Sequence, residues 1–433
     1  MNIVRFSGPP AGGVATLLEV RTVSEILWVQ NARCLQRGPK AGVEAFAPDV
    51  IDSVRAFHAT IPGYEPTPLV GLPALAASLG LASLHVKDES RRFGLNAFKV
   101  LGGSYAIARL LACRLGRDLS TLPYPVLTSE SVRAELGPMV FATTTDGNHG
   151  RGVAWTARVL GQRAVVYMPK GTAPFRLERI RAEGARAEIL DRNYDDCVRF
   201  TAAEAEREGW VVVQDTAWEG YRDIPLWIME GYGTMVAEAL DQIEARGDAL
   251  PTHVFIQAGV GSLAAAVQAV LVARLGEAAP QVIVVEADKA ACFYKSALAG
   301  NDVPLAVTGD LDTVMAGLAC GEANVIAFDI LRDYAAAFLS CPDPVSARGM
   351  RLLGNPLRGD APIVSGESGA VTAGLLSFLM ADPRQRPLRD FLGLGARSSV
   401  LLFSTEGDTD PDRYRSIVWD GEFPTVGLSL EGR

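Results

Sequence analysis

The chain has 433 residues, 48 % of them hydrophobic, and a formal net charge of −9. That length and apolar share can bury a large core and allow more than one domain, while an isoelectric point near 5.2 argues against nucleic acid as the main partner. No apolar run is long enough to span a bilayer, and residues 1–13 lack the basic-then-apolar order of a secretory signal, so a cytoplasmic protein is expected. Six cysteines without a C-x-x-C pair and four histidines at no zinc-ligand spacing give no reason to expect a metal. Cys292 and Cys320 could approach one another in the fold, but are read as buried, reduced thiols.

In chain order, residues 84–87 read as a short strand and 104–115 as a helix rich in Ala and Leu. Residues 139–142 read as a strand, 151–160 as a helix and 164–168 as a strand. A helix over 175–183, an extended stretch at 187–190, a helix over 195–208 and an extended stretch at 210–214 follow. Further strands are expected at 254–257, 282–286 and 399–403, with a helix over 263–275. Short Val/Ile-rich strands alternating with helices of this length predict an α/β fold, its parallel sheets covered on both faces. Residues 102–214 read as a small α/β domain inserted into a larger one assembled from 1–101 and 215–433. The charge run from Arg176 to Arg186 reads as a solvated helix face.

Three segments carry polar chemistry. The first is Asn-Ala-Phe-Lys-Val-Leu-Gly-Gly-Ser at 96–104. Lys99, boxed in by Phe98, Val100 and Leu101, either snorkels to the surface or is desolvated. Desolvation lowers the pKa of an ammonium and leaves a neutral amine able to form a Schiff base with a carbonyl. The second is Thr-Thr-Thr-Asp-Gly-Asn-His-Gly at 143–150, a strand end running into a polar turn. Gly147 and Gly150 let its backbone close on a ligand, and Asn148 and His149 supply hydrogen-bonding groups. The third is Val-Phe-Ile-Gln-Ala-Gly-Val-Gly-Ser at 254–262, where a strand, a glycine turn and a helix start make an anion cradle from Gly259, Val260, Gly261 and Ser262. It has neither the Gly-Lys-Ser/Thr of a P-loop nor the third glycine of a dinucleotide fingerprint. Asp146, Gly259 and Thr405 each follow an expected strand, which places a ligand at strand carboxyl ends, in a cleft between the two domains.

In this order the segments resemble the site of the fold type II (tryptophan synthase β-like) pyridoxal-phosphate enzymes, and more narrowly the diaminopropionate ammonia-lyases. The narrower resemblance is carried by Lys-Asp-Glu-Ser at 87–90, Asn-Ala-Phe-Lys-Val-Leu-Gly-Gly-Ser-Tyr at 96–105 and Thr-Asp-Gly-Asn-His-Gly-Arg-Gly-Val-Ala-Trp at 145–155. It continues in Val-Gln-Asp-Thr-Ala-Trp at 213–218, Gly-Glu-Ser-Gly-Ala at 366–370 and Thr-Glu-Gly-Asp at 405–408. Most relatives of this fold carry serine where Asp146 stands.

The resemblance implies two open α/β domains with pyridoxal 5′-phosphate between them. Lys99 would hold the aldehyde carbon, Asn148 would face the ring, and the Gly259–Ser262 turn would take the phosphate. Ser404 or Thr405 would offer a neutral hydroxyl to the pyridine nitrogen, which favours elimination over transamination. Glu367 would position the ring, or else cap a helix starting near Ala370. The implied reaction is elimination from D- and L-2,3-diaminopropionate to pyruvate and two ammonia. Lys99 is then one base, and Asp146, if it lies on the opposite face of the substrate, the second. The plainer role for Asp146 is capping the next helix. Asp215 would pair with the leaving β-ammonium, or be an ordinary turn residue. Thr145, His149 and Tyr194 would line the substrate pocket, and the last two could equally be structural hydrogen bonders. Lys87, Asp88 and Glu89 read as scaffold. A serine/threonine dehydratase, a β-replacing synthase or a non-catalytic cofactor-binding relative would share much of this pattern. The resemblance also implies a homodimer acting on a small amino acid away from membranes.

Overall fold

The computed structural model describes residues 26–36, 40–300 and 302–425. Residues 1–13, read above for a signal, and the outermost parts of the larger expected domain lie outside them. The described strands are β1 (Leu27–Gln30), β2 (Leu69–Gly71), β3 (Ser83–Asp88), β4 (Val140–Thr144), β5 (Arg163–Met168) and β6 (Arg186–Ile189). They continue with β7 (Val211–Val212), β8 (His253–Gln257), β9 (Gln281–Ala287), β10 (Ala337–Cys341) and β11 (Ser399–Ser404). Two sheets result, a seven-stranded one in the order β1-β10-β9-β8-β11-β3-β2 and a four-stranded one in the order β6-β5-β4-β7.

The smaller sheet is parallel throughout. The larger is parallel from β10 to β3, with an antiparallel strand at each edge. Its central strands β8 and β11 are buried along their whole length, as expected of strands covered on both faces by helices. All four strands of the smaller sheet fall between β3 and β8 in the chain. Among them, β7 is shorter than the expected 210–214. The Gln214 amide donates to the Tyr221 hydroxyl at 2.9 Å, which takes it out of the ladder. No helix among the described residues is long and apolar enough to cross a membrane.

The helix Val100–Leu115 starts directly after Lys99, so the expected domain switch at 101/102 falls inside a continuous helix. Its double glycine explains how it is held. A Cβ on Gly102 would stand 2.6 Å from the Tyr232 ring, and one on Gly231 would stand 2.6 Å from the Leu101 carbonyl oxygen. On another side, a Cβ on Gly152 would come within 3.0 Å of the Val100 Cα. The lysine-bearing helix is therefore clamped between Asp223–Ala245, which meets the large sheet at β2, and Asn148–Val159, packed on the small one. That clamp puts Lys99 at the junction of the two sheets.

Lys87 and Glu89 belong to a buried ionic network beneath the site. Glu238 accepts from Lys87 Nζ at 2.7 Å and from Arg92 Nη2 at 2.8 Å, and Arg92 Nη2 also reaches Glu89 at 2.8 Å. Replacing Glu238 with alanine leaves two buried cations short of their shared carboxylate. The expected cost is about 3–5 kcal/mol, read as a lower urea midpoint of unfolding.

Candidate active site

A cavity opens where the carboxyl ends of β4, β8 and β11 converge on Lys99. Its lining includes Lys99, Thr145, Asp146, Asn148, His149, Tyr194 and Asp215, the Gly259–Ser262 turn, and Thr405. Most of the expected site residues thus meet in one place, although they come from both sheets.

Lys99 Nζ donates to Asp215 Oδ2. Burial opposes the charge on this amine, but Asp215, then Tyr232 and Asp146, outweigh it and hold the ammonium above the ordinary lysine range. This corrects the expectation of an amine lowered in pKa by desolvation alone: a buried carboxylate at hydrogen-bond distance reverses the sign. Burial likewise works against the Asp215 carboxylate, yet Lys99 and His149, with hydrogen bonds from Lys99 and Tyr194, push it down to about 2. Tyr194 Oη and Gln214 Nε2 each donate to Asp215 Oδ1 at 3.3 Å. Asp215 therefore lines the cavity, bonded to Lys99.

His149 is buried and its pKa is lowered, first by that burial. The neutral ring donates Nε2–H to the Val213 carbonyl at 2.8 Å, which leaves Nδ1 a bare acceptor without a protein partner, 4.0 Å from Asp215 Oδ2. Thr145 closes the turn by accepting the Gly147 amide at 2.8 Å.

The glycine turn after β8 opens the helix Ser262–Leu275, whose first amides have no intrahelical acceptor. Gly261 sits at φ +92, a conformation that disfavours any side chain, and a Cβ on Gly259 would stand 2.9 Å from the Gly317 carbonyl oxygen. Side chains are excluded here so that backbone amides face the cavity. The Ser262 hydroxyl is committed elsewhere, donating to the Asp215 carbonyl and accepting from Asn324.

The two candidate hydroxyls separate. Thr405 faces the cavity and accepts from Gln257 Nε2 at 2.8 Å, so its own O–H is free to donate inward. Ser404 is turned away from the cavity and donates to Ser365 at 2.8 Å. Asn148 donates to Glu406, whose other oxygen accepts the Ser368 amide at 3.1 Å.

Asp146 does not cap the helix Asn148–Val159: Gly147 holds the cap position, without a side-chain bond. Its carboxylate instead accepts from Arg176 Nη1 at 3.2 Å. Arg176 was expected on a solvated face, but it is only 6 % exposed. Helix Pro174–Ala182 turns this one member of the charge run inward. Glu367 lies 3.6 Å from the same guanidinium and lines a neighbouring outer chamber of about 690 Å³, not the inner cavity. It begins the helix Glu367–Ala381 without capping it, since Gly366 holds the cap position. Asp146 and Tyr194 face both spaces. Cys292 and Cys320 are buried free thiols, as expected.

This donor set fits pyridoxal phosphate. An amine, a cradle of amides at a helix start, an inward hydroxyl and the unpartnered buried Gln257 Oε1 surround one space. The family model described as pyridoxal-phosphate dependent enzyme matches residues 60–386. Diaminopropionate ammonia-lyase of Salmonella typhimurium is 49 % identical over 392 residues, covering 90 % of this chain and 97 % of the relative. Diaminopropionate ammonia lyase from Escherichia coli in complex with D-serine superposes with a TM-score of 0.86 at 46 % identity, covering 93 % of this chain and 100 % of that one. The same enzyme in complex with an aminoacrylate-PLP azomethine reaction intermediate gives 0.84 at 46 % identity, covering 93 % and 99 %. With this family match and identity over most of both chains, the chain belongs to the pyridoxal-phosphate dependent enzymes and, among them, to the diaminopropionate ammonia-lyase family.

Proposed function

We propose that this chain converts D- and L-2,3-diaminopropionate, with one water, to pyruvate and two ammonia. The observation that carries the reading is that Lys99, Asp146 and Asp215 surround a single cavity. Two of them can take a proton from Cα, and the third can hold a β-ammonium. The Escherichia coli relative solved with D-serine and with aminoacrylate supports both the elimination and the acceptance of a D-configured ligand.

Lys99 is the amine that would hold the cofactor, the amides of Gly259 to Ser262 its phosphate, Thr405 its ring nitrogen and Asn148 the polar edge of its ring. When bound, pyridoxal phosphate supplies the electron sink that makes the substrate Cα–H acidic. The protein must then remove that proton and receive the leaving amine. Against burial, Lys99 and His149 push the Asp215 carboxyl down to about 2, so it meets the substrate as a carboxylate. A substrate β-ammonium arriving at Asp215 takes over the partner of Lys99. Burial, no longer offset by that carboxylate, then favours the neutral amine at Nζ, and Lys99 becomes a base. The neutral His149 Nδ1 is a second acceptor for the same β-ammonium. Asp146, on the side of the cavity that opens to the outer chamber, takes the proton of the other enantiomer. The substrate is a small amino acid; a cytoplasmic homodimer is the assembly this reading carries, from the family resemblance.

Incubating the holoenzyme with each enantiomer, serine and threonine tests the reading. The expected result is pyruvate and ammonia in a 1:2 ratio from both diaminopropionate enantiomers (a ratio set by the atom balance of the reaction), with much slower keto-acid formation from serine and threonine. Faster turnover of threonine to 2-oxobutyrate would favour a dehydratase instead.

A further inference from the structure

Arg176 has no part in the reaction as written, yet its guanidinium is buried beside the proposed second base. Nη1 meets Asp146 Oδ2 at 3.2 Å, and Nη2 stands 3.6 Å from Glu367 Oε2. Nε is buried with no partner, and against burial the carboxylates of Glu406, Glu367, Asp146 and Asp410 hold the charge, Asp146 alone among them within hydrogen-bond distance. The arginine stem is built into the turn that carries Asp146. A Cβ on Gly147, at φ +153, would stand 3.1 Å from Arg176 Cδ and 3.4 Å from its Cβ. Gly147 thus leaves the room through which the side chain reaches the site.

The arrangement also joins the two halves of the molecule. Asp146 and Arg176 follow strands of the small sheet, while Glu367 opens a helix packed on the large one. Of its two ion pairs the one to Asp146 is the closer. Burial, with Glu406 adding to it, pushes Glu367 up to about 7 against the pull of Arg176, and the hydrogen bond of the guanidinium goes to Asp146. A charge-assisted bond to Oδ2 restricts rotation of the carboxylate and leaves Oδ1 to take a proton. No contact joins Arg176 to Lys99.

We propose that Arg176, anchored across the cleft by Glu367, is a positioning residue that fixes the Asp146 carboxylate for deprotonation of the D-enantiomer and so sets the tolerance of this enzyme for both configurations. The proposal rests on the reading of Asp146 as the second base. It requires that losing Arg176 slow one enantiomer selectively, and through kcat, because Arg176 touches neither Lys99 nor Asp215.

The test measures kcat and KM on D- and L-2,3-diaminopropionate for the holoenzymes of wild type, Arg176→Met, Arg176→Lys, Asp146→Asn and the Arg176→Met/Asp146→Asn double variant. The cofactor absorbance of each reports loading. Arg176→Met is expected to lower the D-to-L ratio of kcat by about 10- to 100-fold, the scale of a misplaced catalytic group, with KM for the D-isomer nearly unchanged. Arg176→Lys should recover part of the loss, and the double variant should be no slower on the D-isomer than Asp146→Asn alone. Equal loss on both enantiomers, or none on the D-isomer, overturns the proposal. Should Arg176→Met not fold, Glu367→Gln decides: a smaller D-selective loss in kcat supports the clamp, and an unchanged D-to-L ratio overturns it. If Asp146→Asn itself keeps full D-activity, the two-base reading falls and this proposal with it. If Asp146→Asn loses D-activity while Arg176→Met retains it, only the role of Arg176 falls.

Discussion

Replacing Lys99 with alanine is expected to abolish turnover of both enantiomers of diaminopropionate. The substitution removes one base outright, a contribution of about 10² to 10⁴ in rate. It also removes the group that would join the cofactor to the chain. A third consequence follows from the pairing seen at the site. Lys99 is the largest single influence opposing burial at the Asp215 carboxylate. Without it, burial at Asp215 is opposed only by His149, Tyr194 and the arriving β-ammonium, so that anchor is weakened even where Asp146 is intact. The D-isomer therefore fails along with the L-isomer, although its proton goes to another residue. Steady-state pyruvate formation from each enantiomer measures this, with the phosphate cradle keeping the variant able to take up cofactor non-covalently.

Asp146→Asn is expected to separate the enantiomers. Asparagine keeps the size of the side chain and an oxygen for Arg176, which bonds Asp146 at 3.2 Å, but it cannot take up a proton at working pH. Turnover of the D-isomer should fall by about 10²- to 10⁴-fold, the span of a general base, while that of the L-isomer stays within about threefold. Equal losses would mean that Asp146 organises the site instead of acting on one face of the substrate.

Much of this geometry is legible in the sequence, for reasons particular to the elements concerned. The strands at 254–257, 282–286 and 399–403 lie in the interior of a parallel sheet, where burial on both faces demands the Val/Ile/Leu runs that mark them. β10 leaves no signal in the sequence because Ala337–Cys341 contains no β-branched residue, and β1 leaves none because it is a four-residue edge strand. The helix Asp223–Ala245 is buried around most of its circumference, so it has no polar stripe to set its period.

The site divides in the same way. Lys99, Asp146, Asn148 and the Gly259–Ser262 turn sit next to glycines that let backbone approach closely, and such turns leave a local signature. Thr405 and Ser404 are neighbours at the end of one strand, and only the direction of each side chain separates them. Arg176 is one of several arginines in its helix; nothing in their spacing says which faces inward. Glu406 and Gln257 act through partners far away in the chain, Asn148 and Thr405, and contacts of that kind leave no local trace.

The most direct measurement is borohydride reduction of the yellow holoenzyme followed by mapping of the modified peptide. The account predicts that the visible absorbance is lost and that the reduced cofactor is found on Lys99 alone. A protein that takes up no cofactor, or a reduced adduct on any other lysine, would contradict it.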